Sequence, residues 1–124
     1  MSPLNVLVID DEEVICNACH LILSERGHTV EFKMDGASGL KALQSNSYDI
    51  ILLDMMLPDI EGMKILETIK QKTPQAGVIV ITGYSTVGNA LKAMKLGAAD
   101  YLPKPFSEDE LLASIEKVRS NLQP

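Results

Sequence analysis

No apolar stretch in this 124-residue chain approaches the ~20 residues a membrane helix needs. Positive charge is scarce as well. Lys and Arg number 11 against 17 Asp and Glu, for a formal net charge of -6. That balance leaves no electrostatic footprint for nucleic acid or an anionic membrane surface. Met1-Ser2-Pro3 runs straight into an apolar strand, so no room for a signal peptide is expected and a cytoplasmic location is the default. Only two cysteines occur. Cys16 and Cys19 have Cys-x-x-Cys spacing, but they fall more than a turn inside an expected helix, away from the N-terminus that would lower a thiol pKa. No second pair completes a zinc site. They read as small buried or half-buried helix residues. There is no internal repeat, low-complexity tract or linker, and residues 1–124 are expected as one domain. The 46% hydrophobic content is enough to fill one core.

What is present is an alternation of apolar runs with helical periods. Strands are expected at Asn5–Ile9, Thr29–Phe32, Ile50–Asp54, Val78–Thr82 and Asp100–Leu102. Helices are expected at Glu12–Arg26, Gly36–Ser45, Met63–Lys72, Thr86–Leu96 and from Ser107 onward. Val14, Ala18, Leu21 and Ile22 recur at helical spacing in the first helix, and Val87, Ala90, Leu91 and Met94 do so in the fourth. Gly27 and Gly97 are helix stops. Ser107 and Glu110 have capping-box spacing, and the helix they open is expected to bury Leu111, Leu112, Ile115, Val118 and Leu122. Five β-α units in series imply an α/β fold: a doubly wound, flavodoxin-like (βα)5 domain with a five-stranded parallel sheet in order 2-1-3-4-5. The first, third and fourth strands are apolar throughout, as strands covered on both faces should be. The second is short and amphipathic, which suits an edge.

The two strands flanking the expected switch point both end in carboxylates: Asp10-Asp11 after Val-Leu-Val-Ile, and Asp54 after Ile-Ile-Leu-Leu. Ligands of such sheets bind outside the carboxyl ends of the strands at that point. Three clustered carboxylates repel and raise one another's pKa unless a cation sits among them. Oxygen-only ligation suits a hard ion such as Mg2+. The fourth strand adds the hydroxyl of Thr82, and the fifth ends near Lys104. Singly, each has a bland reading. An aspartate can cap a helix, and Lys104 between two prolines can be a solvated loop residue. Together, at corresponding strand ends, they make a phosphoryl-handling site. No glycine-rich turn follows the first strand, so the dinucleotide-binding alternative fails.

These residues resemble the receiver domain of two-component response regulators over essentially the whole chain. The matching elements are Val-Leu-Val-Ile-Asp10-Asp11-Glu, Leu-Leu-Asp54-Met-Met-Leu-Pro58-Asp-Ile-Glu-Gly62, Ile-Thr82-Gly-Tyr and Asp-Tyr101-Leu-Pro-Lys104-Pro105-Phe. The resemblance implies that Asp54 accepts a phosphoryl group from a sensor histidine kinase or phosphotransfer protein. It implies that Asp11 holds Mg2+ directly, Asp10 mainly through water, and that Asp54 and the backbone carbonyl of Met56 complete the set. Thr82 and Lys104 would bind phosphoryl oxygens. Thr82 and Tyr101 would carry the switch to the face formed by the fourth helix, fifth strand and fifth helix, through which a homodimer can form. Lys92, Lys95 and Lys104 make that side less acidic than the rest. The resemblance also implies a cis Lys104-Pro105 bond, where sequence alone favours trans.

The family phosphorylates itself but does not turn over as an enzyme. An aspartate-nucleophile phosphatase would need a second acid two residues after Asp54, and that position is Met56. Met56 and Tyr84 flank water's approach and neither is a base, so fast dephosphorylation is not expected. The competing reading is a degenerate receiver that binds partners without phosphorylation. The Thr-Gly-Tyr-Ser and Tyr-Leu-Pro-Lys-Pro-Phe segments look most like receivers of the nitrogen-regulator type, which are attached to ATPase and DNA-binding domains and act in transcription regulation.

Overall fold

The computed structural model describes residues 2–122. Met1, Gln123 and Pro124, which complete the expected 1–124 domain, lie outside the described residues. Five strands, β1 (Asn5–Ile9), β2 (Thr29–Lys33), β3 (Ile50–Asp54), β4 (Gly77–Thr82) and β5 (Asp100–Pro103), alternate with five helices. The helices are α1 (Glu13–Glu25), α2 (Gly36–Ser45), α3 (Gly62–Lys72), α4 (Val87–Lys95) and α5 (Glu108–Leu122). All strand pairs are parallel, in the order β2-β1-β3-β4-β5. The expected fold and strand order are therefore those observed.

Successive side chains of a strand point to opposite faces, and the core divides accordingly. Leu7, Ile9, Ile51, Leu53, Val78 and Val80 face α2, α3 and α4, packing on Ala42, Met63, Ile65, Leu66, Ile69 and Ala93. Val6, Val8, Ile50, Leu52, Ile79 and Ile81 face α1 and α5, packing on Cys16, Cys19, Leu23, Leu111, Ile115 and Val118. The edge strand β2 is only half-buried apart from its exposed first residue.

Local signals set the helix ends. Asp35 caps α2 by accepting from the Ser38 N–H at 2.7 Å, and Thr86 caps α4 by accepting from the Asn89 N–H at 3.0 Å. Ser107 and Glu110 form the expected reciprocal box: the Ser107 N–H donates to Glu110 Oε1 at 2.9 Å and the Glu110 N–H to Ser107 Oγ at 3.1 Å. Gly27 and Gly97 follow α1 and α4 with φ of 90° and 105°, a region that favours glycine.

In two helices the structure shows which of the apolar residues the sheet covers. In α1, Val14 and Leu21 are 78% and 61% exposed, while Cys16, Cys19 and Leu23 face the sheet. In α4, Val87, Leu91 and Met94 are exposed and Ala93 is the buried residue. α5 buries Leu111, Ile115 and Val118 as expected, with Leu112 and Leu122 only half-buried.

Candidate functional site

Asp10 follows β1, Asp54 ends β3, Thr82 ends β4, and Lys104 follows β5. The parallel pairing brings these ends to one edge of the sheet. Ile9 pairs with Leu53, Asp54 with Ile81, and Thr82 with Pro103. The Lys104 N–H continues the ladder by donating to the Thr82 carbonyl at 2.8 Å. The Lys104-Pro105 bond is cis.

Asp10 is fully buried and Asp54 is 2% exposed. Each has one carboxylate oxygen fixed by the backbone two residues on. Asp10 Oδ1 accepts from the Glu12 N–H at 2.8 Å, and Asp54 Oδ1 from the Met56 N–H at 3.1 Å. Neither member of the acidic pair acts as the side-chain cap of α1. Behind the turn, the buried Cys16 thiol donates to the Asp10 carbonyl at 3.3 Å. Burial pushes that thiol up to about 11 and Cys19 up to about 12. Both remain protonated at neutral pH and pack as small core residues, as expected for the pair.

The remaining oxygens turn toward the Lys104 ammonium. Asp10 Oδ2 stands 2.8 Å from it and Asp54 Oδ2 3.3 Å. The Asp10 contact is an ion pair without the alignment of a hydrogen bond. A third carboxylate, Glu12, reaches the ammonium at 2.5 Å. Burial pushes the Asp54 carboxyl up, the Met56 N–H opposes this, Asp10 adds to it and Lys104 opposes it, for a result of about 6. Burial alone would push Lys104 down, but Asp10, Glu12 and Asp54 overcome it and hold the ammonium above the usual lysine range.

Oxygens of Asp10, Glu12 and Asp54 all lie within 4.8 Å of one another. This all-carboxylate donor set fits a hard divalent cation. Glu12 was missed at the sequence level, although it directly follows the acidic pair and was the available signal. Asp11 is exposed and is not part of this convergence.

Two further elements shape the edge. Thr82 is fully buried, and its Oγ1 accepts from the Tyr84 N–H at 3.1 Å. The loop after β3 folds back on itself: the Gly62 N–H donates to the Met55 carbonyl at 3.2 Å, and Met56 bridges to Glu61. A Cβ at Gly62 would stand 2.6 Å from Met55 Cα and 2.8 Å from the Asp54 carbonyl oxygen, so only glycine permits this approach. Asp59 anchors the same loop to α2, accepting from the Gly36 and Ala37 N–H groups at 2.8 and 2.9 Å. Met56 and Tyr84 are 61% and 67% exposed beside the site. Tyr101 is half-buried on β5, and its hydroxyl is buried with no hydrogen-bond partner among the described residues.

The response regulator receiver domain model matches residues 6–116. This chain belongs to that family. It is a receiver domain of two-component signalling, and the family typically uses Mg2+. The chain is 36% identical over 112 residues to the transcriptional regulatory protein DltR of Streptococcus agalactiae, covering 90% of this chain and 50% of that protein. It is 37% identical over 119 residues to a putative NtrX-like response regulator of Rickettsia felis, covering 94% of this chain and 25% of that protein. The chain thus spans about half or a quarter of these relatives. A CheY-like receiver domain protein from Methanospirillum hungatei superposes with a TM-score of 0.93 at 29% identity, covering 98% of this chain and 97% of that one. Among the described residues no helix is long and apolar enough to cross a membrane.

Proposed function

We propose that Asp54 is the phosphoryl acceptor and that Lys104 and Thr82 hold the transferred group. The observation that carries this is the convergence of Asp54, Asp10 and Lys104 at the carboxyl edge of the sheet, with the three charges within ion-pair reach. A free oxygen of Asp54 attacks phosphorus. A new P–O bond forms as the donor's bond to phosphorus breaks, and the leaving group departs with the electron pair. For a phosphohistidine donor that bond is P–N. Catalysis of such transfer is mostly positioning and charge neutralisation.

Asp10, Asp11, Asp54 and the Met56 carbonyl would hold Mg2+, with Glu12 adjacent. The bound ion would neutralise charge on the phosphoryl oxygens. Lys104 supplies a second positive charge, and the Met56 N–H keeps the other Asp54 oxygen in place. The Thr82 hydroxyl, now accepting from the Tyr84 N–H, can instead donate to a phosphoryl oxygen. Drawing Thr82 inward changes the space beside Tyr101, whose hydroxyl has no hydrogen-bond partner among the described residues. The response then passes to α4, β5 and α5. The exposed Val87, Leu91 and Met94 offer an apolar surface there for an effector or a second copy.

The donor is a sensor histidine kinase or phosphotransfer protein in the cytoplasm. The output is control of an attached or separate effector, as in transcription regulation. The domain acts once on itself and is not a turnover enzyme. Incubation with Mg2+ and acetyl phosphate should raise the intact mass by one phosphoryl group. Asp54→Asn should abolish the rise, and an undiminished gain in that variant would refute the assignment.

A further inference from the structure

The three carboxylates around Lys104 are not equivalent. Asp10 and Asp54 are buried, and each has a second oxygen pinned by a backbone N–H. The Glu12 side chain is 58% exposed and makes no capping bond to α1, although it stands at the helix N-cap. Yet it approaches the ammonium more closely than either buried partner, 2.5 Å against 2.8 and 3.3 Å. The Lys104 side chain is only 9% exposed. Its ammonium has three N–H donors, and three carboxylates surround it.

We propose that Glu12 is a positioning residue for Lys104: in the resting protein it holds the ammonium by its closest contact and so competes with an incoming phosphoryl group for the same donors. This rests on the roles given above to Asp54 and Lys104. A phosphoryl group arriving on Asp54 needs the donors that Glu12 now shares. It also brings negative charge toward the Glu12 carboxylate, and like charges disfavour one another. Glu12 therefore opposes the phosphorylated state until it swings into water. Its exposure makes the swing cheap, because a partly exposed ion pair is weak. Asp10 and Asp54, fixed by burial and backbone, cannot make that movement. Glu12 thereby tunes how strongly the site holds a phosphoryl group while leaving the acceptor itself untouched. The competing role, direct metal ligation alongside Asp10 and Asp54, predicts the opposite sign, since losing a ligand weakens everything that depends on the metal.

Glu12→Gln removes the charge at nearly constant volume. Beryllofluoride, a phosphoryl mimic, is titrated into parent and variant at saturating MgCl2 and followed by backbone amide shifts. The expected result is tighter binding by the variant, by about two- to fivefold, the range of one partly exposed ion pair. In the metal-free proteins, solvent exchange of the Lys104 ammonium protons should be faster in the variant. Mimic affinity that is unchanged or lower in Glu12→Gln, or ammonium exchange that is unchanged, overturns the inference while leaving Asp54 as acceptor. A parent protein that binds no beryllofluoride overturns both the reading of the site and the inference built on it.

Discussion

At the N-terminal end of the sheet, His28 and Arg119 are buried to 8% exposure, and each is tied to the backbone. His28 Nδ1 accepts from the Leu4 N–H at 3.0 Å, and Arg119 donates to the Ser2 carbonyl at 2.7 Å while pairing with Glu116 at 3.3 Å. At the carboxyl end, Asp10, Glu12 and Asp54 share one ammonium. The first end staples chain segments that are far apart in sequence. The second concentrates like charge where the fold would be more stable without it. Buried polar groups with partners secure a structure, whereas an unbalanced cluster is kept for its chemistry.

The largest expected effect is a stabilisation at the carboxyl end. The Asp54 carboxyl is raised to about 6 in the fold, above the ordinary aspartate value of 3.8. A raised carboxyl binds more protons folded than unfolded between those values. Its contribution is therefore fully present below about pH 4 and is lost as pH rises through about 6. In Mg2+-free buffer at pH 7, Asp54→Asn should stabilise the protein by on the order of 2–3 kcal/mol. Urea unfolding of both proteins from pH 4 to 8 measures this. The advantage should shrink toward zero at pH 4, and a pH-independent difference would mean that burial of the charge is not its source.

At the opposite end the sign reverses. Arg119→Ala removes the bond to Ser2 and the partner of Glu116, and should cost about 1–3 kcal/mol in the same urea experiment. A neutral result would erase the contrast between the two ends.

The smallest effect belongs to His28. Burial, and then Arg119, push its imidazole below the usual 6.5, with Glu116 opposing. A depressed base contributes stability above its unfolded value and loses it as pH falls through the folded one. Acidification should thus weaken this end while relieving Asp54 at the other. The His28 ring protons, followed by NMR, should titrate below the ordinary histidine value of 6.5. Titration at or above that value would contradict the neutral, Leu4-bound ring.

The strands and the site edge were legible because their signals are continuous. The apolar runs of β1, β3 and β4 admit only strands covered on both faces, and each leads directly into the residue it delivers to the edge. Even α2 was bounded at Gly36 and Ser45 despite its low propensity. Gly39 is there because a Cβ would meet Ile9 Cδ1 at 2.6 Å, so close packing on β1 outweighs helix preference.

Helix faces were less legible. Val14, Ala18 and Leu21 fit a helical stripe, but so do Cys16, Cys19 and Leu23. The smaller thiols won the buried face, where they behave as compact hydrophobes. In α4 the periodicity of Val87, Leu91 and Met94 marked an apolar face correctly without saying that the sheet leaves it uncovered. Glu12 escaped notice because its role depends on a lysine 92 residues away, a distance that no local pattern encodes.

The central claim is that the convergent edge delivers a phosphoryl group to Asp54. Borohydride reduces an acyl phosphate to an alcohol, which would convert a phosphorylated aspartate to homoserine. The protein is treated with Mg2+ and acetyl phosphate, reduced, digested and sequenced by mass spectrometry. Homoserine at position 54, lost when Mg2+ is omitted, is the predicted result. Homoserine at Asp10 or Asp11 instead, or at none of the three in a protein that has gained the mass of a phosphoryl group, would contradict the account.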